Sequence, residues 1–170
     1  MSRRLIVMRH AKSSWKEPYG SDHERPLKGR GQREATRAAE EIRACGWSPE
    51  LVISSDSART QETWACMTDG FADALPPVHF TRDLYHSGLD ALKVQLRGLD
   101  PEVETVLVIG HNPGWEEVVE RLTGLTYVVM KTAHAALLRA PAGDWSDALA
   151  REGAWSLERI INPRALMDEG

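Results

Sequence analysis

The stretch Leu5-Ile6-Val7-Met8-Arg9-His10 constrains the fold more than any other part of the chain. Four consecutive apolar residues without alternation describe a strand covered on both faces, as in a central parallel strand flanked by helices. This strand then ends on a cation and an imidazole. Such an ending fits either a strand cap in solvent or a working site, and other parts of the chain separate the two.

The strand signal returns at Leu51–Ser54, at Val78–Phe80 and most clearly at Thr105–Ile109. Helical spacing fills the gaps. Ala35, Ala38, Ala39, Ile42 and Cys45 mark one face over 29–46. Residues 57–67 read as a helix capped by Asp56 or Ser57, and Leu89, Leu92, Leu96 and Leu99 mark another face. After Thr105–Ile109 the order Asn112, Pro113, Glu116, Glu117 predicts a helix capped by Asn112 with Pro113 first. Residues 135–140 and 155–160 flank an Asp/Gly-containing turn and are expected to pair antiparallel at a sheet edge. Repeated strand–helix units predict an α/β fold, three layers α/β/α with a mainly parallel central sheet. No repeat or linker divides the 170 residues, so a single domain over 1–170 is expected.

Net charge is −4, which argues against a general nucleic-acid binder. The charge is unevenly spread. Residues 1–37 carry ten Lys/Arg against four Asp/Glu, an excess of +6 that leaves −10 for the remainder. Arg3, Arg9, Lys12, Lys16, Arg25, Lys28 and Arg33 fall in this section, which reads as a solvated face or as a local anion site. No apolar run is long enough for a membrane span and no secretion signal is evident. Cys45 and Cys66 lack metal-ligand spacing and read as reduced packing residues, so a cytoplasmic location is expected.

Ligands of such sheets bind beyond the carboxyl ends of the strands. There the first strand delivers Arg9 and His10, the second leads through Ser55 to Arg59, and Thr105–Ile109 delivers His111 beside a helix start. Two arginines can grip a phosphoryl group through charge-assisted hydrogen bonds. They also lower the pKa of His10, and the neutral imidazole is the form that attacks phosphorus. His111 would then donate to charge developing in the transition state. A metal site is disfavoured: no HxH or HExxH occurs, and the arginines would repel a divalent cation. No cofactor is expected. His79, His86 and His134 read as capping or packing residues.

The ordered set Arg9-His10, Ser55-x-x-x-Arg59-Thr60 and Gly110-His111-Asn112-Pro113 resembles the histidine phosphatase superfamily, which includes the phosphoglycerate mutases. MRHAKSSW, the Asp22–Gly31 segment DxxRPLKGRG and GHNPG are similar to its short branch, the SixA-type phosphohistidine phosphatases. The resemblance implies a phosphoglycerate mutase-like fold and a covalent phosphohistidine on His10. It also implies a phosphate pocket of Arg9, Arg59 and His111, with Arg25 as a peripheral contact. The implied substrate is a phosphohistidine-bearing protein; a small phosphorylated metabolite or nucleotide, or a non-catalytic phospho-ligand module, are the alternatives. Relatives of the mutase type carry a glutamate soon after a Leu-Tyr pair, whereas here Leu84-Tyr85 is followed by His86. Asp22 is the best substitute as general acid, against a role in pairing Arg25 or capping a turn. Met130-Lys131-Thr132 also departs from relatives that have a proline before the threonine. A weak acid suits phosphohistidine, whose imidazole leaves easily, and a chain this short has few residues for a lid.

Overall fold

A computed structural model describes residues 2–15, 20–72, 75–141 and 143–169. In chain order the elements are β1 (Arg3–Arg9), α1 (Gly29–Ala44), β2 (Leu51–Ser55), α2 (Ala58–Phe71), β3 (Val78–Thr81), α3 (Leu89–Leu96), β4 (Thr105–Gly110), α4 (Gly114–Thr123), β5 (Ala135–Ala140), α5 (Trp145–Ala150), β6 (Ser156–Ile161) and α6 (Pro163–Glu169). Short 3-10 turns occupy Asp22–Glu24 and Arg82–Leu84.

The strands form one sheet in the order β3-β2-β4-β1-β5-β6. β1 pairs parallel with β4, from Arg4 opposite Thr105 to Arg9 opposite Gly110, and β2 is parallel to both β4 and β3. The apolar run of β1 divides between two cores. Leu5 and Val7 join the core formed with α3, α4 and α5, while Ile6 and Met8 join that formed with α1 and α2. All four are fully buried, each side chain contributing roughly 1.5–3 kcal/mol of gross transfer energy. This two-sided burial explains the unbroken hydrophobic sequence.

Three local expectations need correction. β5 and β6 pair antiparallel as expected, but β5 also pairs antiparallel with β1, so of these two strands only β6 lies at the sheet edge. The connection between them contains α5, whose cap Asp144 accepts from the Asp147 amide at 2.8 Å and whose Trp145, Ala148 and Leu149 are buried. Asn112 does not cap α4. Its Nδ2 donates to the Met130 carbonyl at 2.8 Å, and the helix begins one residue later than predicted, at Gly114. Cys45 is exposed rather than packed. Ser57 is the cap of α2, accepting from the Thr60 amide.

Two glycines hold the connections at the carboxyl rim. A Cβ on Gly114 would lie 1.8 Å from the Ser87 carbonyl oxygen, and one on Gly31 would lie 2.2 Å from that of Lys12. The first lets α4 start against the 84–88 segment; the second lets α1 start against the segment after His10. Gly114→Ala should destabilise the fold by more than the ~1–3 kcal/mol typical of overpacking, because the clash is with backbone. Gly98→Ala, with nothing within 4 Å, should be neutral or slightly stabilising in the same denaturant titration. Equal effects would refute this account of the rim.

Candidate active site

His10 lies at the end of β1 and is 6% exposed. Its Nδ1–H donates to the Ala11 carbonyl at 2.8 Å, which leaves Nε2 as the nitrogen carrying the lone pair. Burial, reinforced by Arg59, Arg9 and Arg25, lowers the imidazole to about 3, against the Ala11 hydrogen bond that would raise it. The ring is therefore neutral at physiological pH.

His111 follows β4, with its ring centroid 5.4 Å from that of His10. Its Nε2 lies 2.9 Å from Ser55 Oγ, and its Nδ1 lies 3.3 Å from an Arg59 nitrogen. Arginine can only donate, so Nδ1 is the acceptor and the ring proton sits on Nε2, shared with Ser55. Burial, followed by the neighbouring His10, Arg59 and His86, brings its pKa down to about 2.

Arg59, on the first turn of α2, is 1% exposed. One terminal nitrogen donates to the Asp22 carbonyl at 2.7 Å and the other to Asp22 Oδ2 at 3.0 Å. The Asp22 carboxylate also accepts from the Tyr85 hydroxyl at 2.5 Å and lies 3.0 Å from His86 Nε2. Burial alone would raise the carboxyl, but the bonds from Tyr85 and His86 and the Arg59 charge outweigh it and hold it well below the usual carboxylate range. Asp22 is thus ionised at rest.

Arg9 donates to the Met130 carbonyl at 3.1 Å, while its Nε is buried without a partner among the described residues. Arg25 is 6% exposed, donates to Ser13 Oγ, contacts Asp22 Oδ1 at 3.4 Å and stacks on Trp15 with 3.6 Å to the ring centroid.

The structure therefore brings together all six residues singled out from the sequence: Arg9, His10, Asp22, Arg25, Arg59 and His111. Of the basic section, Arg9, Lys12 and Arg25 reach this rim. Arg3 does not. It sits at the opposite end of the sheet, donating to the carbonyls of Pro101, Val103 and Gly143. Lys16 lies outside the described residues. Sequence reasoning missed Tyr85 and His86, both of which touch Asp22. The His86 ring centroid is 4.7 Å from that of His111, and its φ of 50° is unusual for a residue with a side chain. The available signal was positional: these residues stand where mutase-type relatives place a leucine-tyrosine pair and then a glutamate.

No helix among the described residues is long and apolar enough to cross a membrane. Residues 5–86 match the histidine phosphatase superfamily (branch 1). An uncharacterized chloroplastic protein of Arabidopsis thaliana is 38% identical over 175 residues, covering 96% of this chain and 79% of that one. A SixA-type structure from Nakamurella multipartitia is 27% identical with a TM-score of 0.79, covering 96% of this chain and 97% of the other. A SixA-type structure from Agrobacterium tumefaciens shares the fold at TM-score 0.78 and 23% identity, covering 95% of this chain and 98% of the other. With the ordered motifs and the α/β/α architecture, these matches make the chain a phosphatase of the histidine phosphatase superfamily, in its SixA-like branch.

Proposed function

We propose that the protein is a metal-independent protein phosphohistidine phosphatase acting through a covalent intermediate on His10. The observation that carries this reading is the state of His10: a neutral imidazole, its Nδ1 tied to the Ala11 carbonyl and its Nε2 without a partner among the described residues, near three arginines. In the first step Nε2 attacks phosphorus, the P–N bond to His10 forms, and the bond to the leaving group breaks with its electron pair going to that group. In the second, water attacks phosphorus and gives up a proton to solvent, the P–N bond breaks with its electron pair returning to His10 Nε2, and inorganic phosphate is released. Splitting one displacement into two in-line steps is the general benefit of covalent catalysis. Arg9 and Arg59 would bind the transferring oxygens, and His111 would release its Nε2 proton from Ser55 toward charge developing on them. Arg25 would act from the periphery, through Ser13 and Asp22.

Asp22 is our assignment for the proton donor, and it starts ionised. A phosphoryl dianion beside it would compete for Arg59 and raise its proton affinity, letting the carboxylate take up from water the proton that it passes to the leaving group. Such an acid serves an easily leaving imidazole better than an alkoxide. Membership of the SixA-like branch and this conditional acid both favour a phosphohistidine substrate.

His10→Ala should abolish hydrolysis of an aryl phosphate and the acid-labile labelling of the protein; an unchanged label would reject the nucleophile. His111→Ala should lower kcat/KM by roughly 10²–10³-fold, the usual effect of losing one such donor. Activity should persist in EDTA, and a loss restored by zinc would reject the metal-independent mechanism.

The state of the rings is open to direct measurement. Both His10 and His111 have lowered folded pKa values, so both stay deprotonated as pH falls through the usual histidine range. Their C2–H proton resonances should stay flat from about pH 8 to pH 5, where ordinary histidines near 6.5 titrate. For Asp22, a leaving-group series is decisive. Asp22→Asn should slow alkyl phosphates by about 10²–10⁴-fold more than activated aryl phosphates. Parallel losses across the series would reject the acid role and leave Asp22 as the residue that positions Arg59.

A further inference from the structure

A second cavity opens beside the phosphate pocket, over the carboxyl rim on the β5–β6 side. It has a volume of about 310 Å³ and shares Arg9 with the site already described. Its other basic groups come from separate parts of the chain: Lys12 after β1, Arg30 on α1, Lys131 before β5 and Arg164 on α6. One carboxylate lines it, that of Glu34, which contacts Arg30 Nε at 3.2 Å. That contact offsets Arg30 and leaves Lys12, Lys131 and Arg164 with no acidic partner among the described residues. The Nε of Arg9 and the Nδ1 of His134 are both buried there without a hydrogen-bond partner among the described residues.

Cations gathered on a rim repel one another, and a chain of net charge −4 has carboxylates to spare for neutralising them. Burial pushes the His134 pKa down, and the charges of Lys131 and Arg9 add to it. Nothing in the phosphoryl-transfer steps uses Lys12, Lys131 or Arg164. Their grouping around a concave space, one arginine away from His10, is the arrangement expected for a second anion.

We propose that this cavity is a second anion subsite, holding another acidic group of the same substrate while its phosphoryl group lies at His10. The inference rests on the phosphatase reading above and narrows its substrate class to phosphorylated molecules bearing a second negative charge. Two sources share that chemistry. One is the carboxylate of an acidic residue beside the phosphorylated histidine of a protein; the other is the second phosphate of a small metabolite. The half-open, solvent-facing setting, with Lys131 and Arg164 exposed, favours the carboxylate of a protein surface.

The test uses competitive inhibition of aryl phosphate hydrolysis by the full chain. Three probes are compared: a simple alkylphosphonate, ω-carboxyalkylphosphonates and α,ω-bisphosphonates, the latter two over a series of linker lengths. At an optimal linker the doubly acidic probes should bind about tenfold more tightly than the simple phosphonate, the order expected from one or two added charge-assisted hydrogen bonds. Raising the salt concentration should shrink the advantage. In Lys131→Ala combined with Arg164→Ala, the ratio between double and single probes should fall toward one.

A gain shown by carboxylate and phosphonate alike assigns the subsite to an acidic side chain. A gain restricted to bisphosphonates supports the subsite but moves the substrate to a small bisphosphate. No gain at any linker length in the wild type overturns the proposal while leaving the His10 mechanism intact. Equal weakening of single and double probes in the variant also overturns it. Failure of the simple phosphonate to compete at all would count against the His10 pocket and would overturn both readings.

Discussion

The buried guanidinium of Arg59 is the interaction on which the site depends. A charge this far from water is tolerated only when paired and hydrogen-bonded, and here Asp22 supplies both a carbonyl and a carboxylate oxygen. The clamp draws the 3-10 turn at Asp22–Glu24 across the rim to the first turn of α2. It also aims one Arg59 nitrogen at both His86 and His111. Tyr85 and His86 then close on the same carboxylate from the segment before α3. Three connections that are remote in sequence are thereby held by one ion pair.

That arrangement explains why parts of the site were legible in the sequence and others were not. Arg9, His10 and His111 follow strands whose unbroken apolar runs identify them as central, and Arg59 follows such a strand within one helical turn. Strand direction alone puts them on a common rim. Asp22 and Arg25 lie in an aperiodic stretch between β1 and α1, and only the DxxRPL resemblance pointed to them. Tyr85 and His86 lie in an aperiodic stretch, with His86 at positive φ, so no hydrophobic pattern marks them. Asn112 misled for a related reason. It has the composition of a helix cap, but a tertiary partner, the Met130 carbonyl, captured its amide. The helices α5 and α6 are short, at six and seven residues, and their periodic signal was too brief to separate from a turn.

The charge excess of the first 37 residues was also only partly informative. Composition does not distinguish a cation at one end of a strand from a cation at the other. Arg3 and Arg9 bracket β1, and they serve opposite ends of the sheet. Arg3 is 3% exposed and spends its donors on backbone carbonyls, where it closes the amino-end loops. Arg9, six positions on, keeps a buried nitrogen without a partner among the described residues. The accounting of donors, rather than the count of charges, separates a structural arginine from one available to a ligand.

The same accounting links binding to chemistry. At rest both terminal nitrogens of Arg59 are committed to Asp22, and that commitment adds to the Tyr85 and His86 hydrogen bonds in holding the carboxylate ionised. An arriving phosphoryl dianion is a stronger competitor for the guanidinium than a single carboxylate, and sharing Arg59 with it strips Asp22 of part of its stabilisation. Like charge then acts in the same direction, and the carboxyl gains affinity for a proton as the substrate settles. His10 and His111 respond in the same direction: the new negative charge offsets the arginines that reinforce burial in depressing them. Proton affinity on the rim thus rises wherever a phosphoryl group draws positive charge away, so that, with Asp22 as the proposed acid, its resting suppression and its availability during turnover would be two states of one hydrogen-bonded cluster around Arg59.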